Sequence, residues 1–212
     1  MDFKEWEPIY SEILEDMGFS REGDEQAAII LSKMLDGSNS VEVSVLDELI
    51  SGKDVLVCGN APCLRNDLDL VDIDDYVIVV ADAATTALIE KDVVPDLIVT
   101  DLDGDLDNEI LANSMGSIVV VHAHGDNIEK MEKYVPLMQD MVGSTQSVPL
   151  ENVYNFGGFS DGDRCVFIAK QFDAASITLV GFDLADDNVT SIKKKKLEWA
   201  NRLIDMVFPD QF

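Results

Sequence analysis

Positive charge is what this chain has least of. Lys and Arg number 15 against 42 Asp and Glu in 212 residues, a formal net charge of −27 at pH 7. A surface this acidic repels nucleic acid and anionic membranes, so neither is expected as a partner. Cysteine is sparse too. Cys58, Cys63 and Cys165 are odd in number and form no C-x-x-C pair. That argues against a disulfide framework or a thiolate zinc site, and for a reduced, cytoplasmic protein. No apolar run approaches the length of a membrane span, and no basic-then-apolar leader opens the sequence. The dinucleotide fingerprint G-x-G-x-x-G and the P-loop G-K-S/T are both missing.

What the chain does have is a repeated event, an apolar run that ends in polar or glycine-rich residues. The clearest case is Val94 to Asp105, VPDLIVTDLDGD, where Leu97-Ile98-Val99-Thr100 delivers Asp101, Asp103 and Asp105 at every second position. With 42 acids, roughly eight acid-x-acid pairs are expected by chance, so the spacing alone says little. Position says more. Asp54–Cys58 runs into Gly59-Asn60-Ala61-Pro62-Cys63-Leu64-Arg65, and Tyr76–Ala81 runs into Asp82. Ser117–Val121 runs into His122-Ala-His124-Gly-Asp126-Asn127, and Ile177–Gly181 into Phe182-Asp183-Leu184. Buried parallel strands read this way, and ligands of open α/β sheets bind outside the strands' carboxyl ends. Carboxylates there are hard oxygen ligands suited to Mg²⁺, which in turn grips phosphate.

The fold expected is α/β, a mostly parallel Rossmann-like sheet with helices on both faces and an N-terminal helical cap. The cap covers residues 1–52 and the α/β domain 53–212. Phe3, Trp6, Ile9/Tyr10, Ile13/Leu14 and Met17 recur at helical spacing up to Gly18, with Pro8 marking a start or a bend. A second helix is expected over Asp24 to Leu35, ending before Gly37. A third begins at Ser44, whose pairing with Asp47 resembles a capping box. Beyond Asp54, helices are expected over Ala84–Lys91, Leu106–Ser114, Asn127–Leu137, Asp161–Phe172 and Ile192–Val207, the last closing the chain before Pro209. Asn152–Phe156 reads as a further strand and Gln139–Thr145 as a weaker one.

Three loops carry candidate chemistry. In the first, Gly59 allows close approach of a ligand, and the small residues next to it, Asn60 and Ala61 before Pro62, leave backbone N–H groups for phosphate. Cys63 reads there as a small thiol and not as a nucleophile, and Arg65 is one of the few cations. His122 and His124 are the only histidines. Zinc would need Asp126 as a third ligand, so donation to phosphate or a ring is the preferred reading. The third segment, Asn155 to Arg164, combines Gly157, Gly158, Ser160, Asp161 and Arg164 just before a helix. Ser160 is the expected N-cap, and the helix amino end favours an anion. Lys193 to Lys196, the only cluster of positive charge, reads as a solvated helix face.

Taken in order, GNAPCL, ADAATTAL, PDLIVTDLDGD, HAHGDN, NFGGFSDGDR and GFDL resemble the archaeal 6-hydroxymethyl-7,8-dihydropterin pyrophosphokinase family, a relative of the thiamine pyrophosphokinases. The resemblance spans about Asp54 to Leu184. Cys63 departs from it, standing where a serine is expected. The resemblance implies diphosphate transfer from ATP to the hydroxymethyl group of a reduced pterin, releasing AMP, in methanopterin- or folate-type cofactor synthesis. It implies Mg²⁺ held by Asp82, Asp101 and Asp103. Arg164 and Arg65 would hold the triphosphate, joined by His122 and His124, and Asp126 or Asp183 would bind the pterin edge. A homodimer is compatible with all of this.

Other classes compete. A thiamine pyrophosphokinase shares the PDLIVTDLD segment but carries a β-rich domain, whereas Lys193 to Phe212 reads as one helix. A haloacid-dehalogenase-like phosphatase would use Asp101 as nucleophile, but Asp105 stands where its motif has threonine. A glycosyltransferase using D-x-D and a non-enzymatic divalent-cation-binding protein complete the field.

Overall fold

The computed structural model describes residues 1–36 and 39–208; Gly37 and Pro209, each expected just past a helix end, lie outside the described residues. Three helices come first: α1 (Phe3–Met17), α2 (Arg21–Leu35) and α3 (Ser44–Ile50). The Asp2 side chain caps α1, and Gly18 ends it at φ 71°, a left-handed conformation that glycine adopts without a steric penalty. Pro8 lies inside α1. The helix buries Trp6, Tyr10 and Ile13. One expectation fails here. Ser44 is the first residue of α3, and no side-chain cap precedes the helix, so the capping box with Asp47 is not formed.

From Asp54 strands and helices alternate: β1 (Asp54–Cys58), α4 (Leu64–Leu68), β2 (Val77–Ala81), α5 (Ala84–Ile89), β3 (Leu97–Thr100), α6 (Leu106–Ser114), β4 (Ile118–Ala123), α7 (Ile128–Tyr134), β5 (Met141–Thr145), β6 (Val153–Tyr154), α8 (Asp161–Gln171), β7 (Ser176–Val180) and α9 (Ser191–Val207). The strands form one sheet in the order β6-β5-β4-β3-β2-β1-β7. Every pairing in it is parallel. A parallel pair needs a crossover, and right-handed crossovers that step in one direction place their helices on one face. The chain steps that way from β1 to β6, then returns through α8 to lay β7 beside β1.

Two cores result, and the strand pleat sorts side chains between them. Leu56, Cys58, Ile78, Val80, Ile98, Val119 and Val121 face a core shared with Ala27, Leu31 and Leu35 of α2. Their neighbours Val55, Val57, Val79, Val99 and Val120 face the other side, against Cys165, Val166 and Ile168 of α8 and Leu46 and Ile50 of α3. A third cluster joins Trp6, Tyr10 and Ile13 to Phe167 of α8 and Trp199 and Leu203 of α9. Of the helices of residues 1–52, α2 and α3 are thus packed onto opposite faces of the sheet, and α1 lies against α8 and α9. Among the described residues no helix is long and apolar enough to cross a membrane. Because all strands point one way, β1 to β5 and β7 open their carboxyl ends onto one edge.

Candidate active site

Along that edge lies a cleft of about 660 Å³. Its centre is built by the ends of β2 and β3 and the start of α8. Asp82 follows β2 at φ 43°, and its Oδ1 accepts hydrogen bonds from Thr100 Oγ1 at 2.8 Å and Gly104 N at 3.0 Å. A Cβ on Gly104 would lie 2.7 Å from Ala83 N, so only glycine fits that turn. After β3 the chain turns through Leu102 at φ 65°, burying the leucine and holding its N–H on Thr100 Oγ1 at 2.8 Å. This turn splits the D-x-D pair. Asp101 faces the cleft centre, while Asp103 stands at the rim, 72% exposed and paired with Lys130 at 2.7 Å.

The third carboxylate of the centre comes from α8. Asp82, Asp101 and Asp161 each offer an oxygen within 4.8 Å of the others, and Asp103 does not belong to this group. The structure thus groups Asp161, where Asp103 was expected, with Asp82 and Asp101. Asp101 Oδ1 is buried with no hydrogen-bond partner. Three converging carboxylates with one orphaned oxygen fit a hard divalent cation. Burial pushes the Asp82 carboxyl up, and burial with the charge of Asp101 pushes Asp161 up further. Burial acts the same way on Asp101, but its hydrogen bond to His124 and the charges of His124 and Arg164 outweigh this and hold it below the usual carboxylate range.

Arg164 is placed differently from the free phosphate clamp expected of it. It is 2% exposed. One guanidinium nitrogen donates to Asp161 Oδ1 at 2.9 Å, and the other reaches His122 Nε2 at 3.0 Å and the carbonyls of Gly158 and Phe159 at 3.2 and 3.3 Å. Its fork holds the site's own groups. Gly157 and Gly158, at φ 82° and 83°, let the preceding loop press on α8: a Cβ on Gly158 would lie 2.5 Å from Arg164 Cα. Neither glycine lines the cleft. Ser160 caps α8, and the buried Asp163 carboxylate takes the N–H groups of Phe159 and Ser160.

The histidines divide. His122 is buried, receives Arg164 on Nε2 and meets Ser144 Oγ with Nδ1 at 2.9 Å. Burial and the charge of Arg164 hold its pKa well below the ordinary value, so the ring is neutral, with the Nδ1 proton directed to Ser144. It has no donor left for phosphate. His124 is half-buried, with Nε2 3.3 Å from Asp101 Oδ2 and Nδ1 accepting the Asp126 N–H at 3.3 Å. Asp126 lines the cleft. Asn127 lies beneath it, its amide donating to the carbonyls of Asp101 at 2.8 Å and His122 at 2.7 Å, and so fixes the β3 and β4 ends together.

At the other flank the loops after β1 and β7 nearly touch. A Cβ on Gly59 would lie 2.6 Å from Gly181 O. Gly59, Asn60, Ala61, Pro62, Ser160 and Asp183 line the cleft as expected, but Cys63 and Arg65 do not. Arg65 is turned away to Glu90, at 2.6 Å. The lysine run is only half solvated face. Lys194 pairs with Asp187 and Lys195 with Asp16. Lys193 and Lys196 line the cleft and form no ion pair among the described residues. The signal was in the spacing, since residues three apart share a helix face. Two further groups were missed, Asp24 of α2 and Gln146 just past β5.

Fold and cleft together define a Rossmann-like α/β protein with a polar ligand site at the sheet's carboxyl edge. The family model described as 6-hydroxymethylpterin diphosphokinase MptE-like matches residues 31–189. A 6-hydroxymethyl-7,8-dihydropterin pyrophosphokinase of Methanocaldococcus jannaschii is 42% identical over 229 residues, covering 97% of this chain and 95% of its own. Proteins of the same name from Methanothermobacter thermautotrophicus and Pyrococcus furiosus are 41% and 39% identical, each covering 97% of this chain and 94% of its own. The chain belongs to the MptE-like family.

Proposed function

We propose that this protein transfers diphosphate from ATP to the hydroxymethyl oxygen of 6-hydroxymethyl-7,8-dihydropterin, releasing AMP. Its relatives carry that name. The observation that carries the reading onto these residues is the Asp82–Asp101–Asp161 group with its orphaned oxygen, flanked by two lysines. The acceptor hydroxyl releases its proton to solvent, its oxygen bonds to the β-phosphorus, and the bond from that phosphorus to the oxygen bridging the α-phosphate breaks, its electron pair leaving with AMP. Mg²⁺ held by Asp82, Asp101 and Asp161 would, when bound, offset the charge of the phosphates and of the departing oxygen.

The chain's own groups then have distinct tasks. Arg164 fixes Asp161 and the loop before it, and His124 orients Asp101. Lys193 and Lys196 supply the positive charge that a polyphosphate requires in so acidic a protein. The phosphatase, thiamine pyrophosphokinase and non-enzymatic readings are not favoured by the relatives. Three free cysteines support work in a reducing cytoplasm. Phosphorus-31 NMR of ATP, Mg²⁺ and the pterin alcohol tests the reading. AMP with a diphosphate ester is expected; inorganic phosphate alone would overturn it.

A further inference from the structure

The carboxylate group divides the cleft into two arms of unlike chemistry. One arm reaches past β5 and is walled by Phe19, Asp24, Gln146 and Phe159. The Phe19 and Phe159 rings lie 6.2 Å apart, and Phe19 is 38% exposed. Gln146 is fixed from two sides, its backbone carbonyl by Trp6 Nε1 at 2.9 Å and its amide nitrogen by Asp24 at 2.8 Å. Asp24 in turn accepts Tyr10 OH at 2.6 Å and Gly125 N at 3.0 Å. Those bonds use three acceptor positions of the Asp24 carboxylate and leave Gln146 Oε1 without a partner among the described residues, so the arm presents acceptors beside aromatic faces. Among the described residues no lysine or arginine belongs to it.

The other arm, toward β7 and α9, holds Lys193 and Lys196 beside Asp183 and Asp186, with the apolar Leu184, Val189 and Leu197. The first arm offers the phosphates of a nucleotide no cation, whereas this one offers two lysines beside its two carboxylates. A neutral pterin carries adjacent N–H donors on a flat bicyclic ring, which matches the acceptors and aromatic rings of the first. In-line transfer also requires the acceptor and the departing AMP to lie on opposite sides of the β-phosphorus. The cleft runs from the end of β5 to that of β7, five strand spacings, or roughly 24 Å at about 4.8 Å each, with the carboxylates between.

We infer that the acceptor's pterin ring binds in the arm of Phe19, Asp24, Gln146 and Phe159, with the nucleoside of ATP in the arm of Lys193 and Lys196. The inference rests on the diphosphokinase reading. It makes the turn between α1 and α2 a specificity element of the enzyme.

Binding titrations with 6-hydroxymethylpterin and with ATP–Mg²⁺ separate the arms. Phe19→Ala should weaken pterin binding about tenfold and leave ATP within about twofold. Lys196→Ala should do the reverse. Phe19→Leu, which keeps apolar bulk without the ring, should lie between, and it decides the matter should the alanine variant not fold. If Phe19→Ala or Phe19→Leu weakens ATP and spares the pterin, the assignment is overturned while AMP formation by the wild type still upholds the reading. Wild-type protein that forms no AMP from the two substrates overturns both.

Discussion

Glu109 of α6 is fully buried, and neither of its carboxylate oxygens has a hydrogen-bond partner. Burial, followed by the charge of Asp82, pushes its pKa up from 4.5 to about 8. Between those values the native state holds a proton that the unfolded chain has released. Stability from this group is therefore complete below pH 4.5, is lost as pH rises, and levels off above about 8. Glu109→Gln keeps the shape of the neutral acid and has no proton to lose. In chelator its melting temperature should gain on wild type as pH rises from 4.5 to about 8, by an amount corresponding to a few kcal/mol. A difference that stays constant across that window would contradict the protonated state. A second lesson at this scale concerns Asp101 and Asp103. Their spacing is visible in the sequence, but which one enters the cleft is decided by the left-handed backbone of Leu102, which burial of its side chain stabilises.

Among the elements, α8 organises the centre, because it supplies Asp161 and the buried guanidinium that holds Asp161, His122 and the carbonyls of Gly158 and Phe159. Arg164→Ala would leave the half-buried Asp161 carboxylate and two carbonyls without their donor. A loss of about 3–5 kcal/mol in stability is expected, together with activity, read as a fall in melting temperature by calorimetry. An alanine variant that melts like wild type and fails only in ATP affinity would restore the phosphate-clamp role. The strands were legible because each is a short apolar run ending in polar residues, and β1 and β3 begin and end where the pattern says. Helix α4 was not, since five residues carry too little periodicity. Strand β5 read weakly because Gly143, Ser144 and Thr145 dilute its apolar pattern, and Gln146, which depends on it, was lost with it. The lysine run misled because its average exposure hides two faces.

For the whole molecule, a net charge of −27 and the proposed polyphosphate substrate are reconciled by placement. The few cations that face the cleft lie at its centre and on one flank, and three carboxylates converge between the arms. The N-terminal helices complete the opposite flank, a long-range arrangement that no local pattern in residues 1–52 announces. Asp24 reaches Gln146 across 122 positions. The central claim is that Asp161, and not Asp103, joins Asp82 and Asp101 at the reacting phosphates. Initial rates of AMP release from ATP–Mg²⁺ and 6-hydroxymethyl-7,8-dihydropterin test it directly in two variants that conserve size. Asp161→Asn should lower kcat by about a hundredfold or more, and Asp103→Asn should stay within about fivefold of wild type. The reverse order, with Asp103→Asn inactive and Asp161→Asn near wild type, would contradict the account.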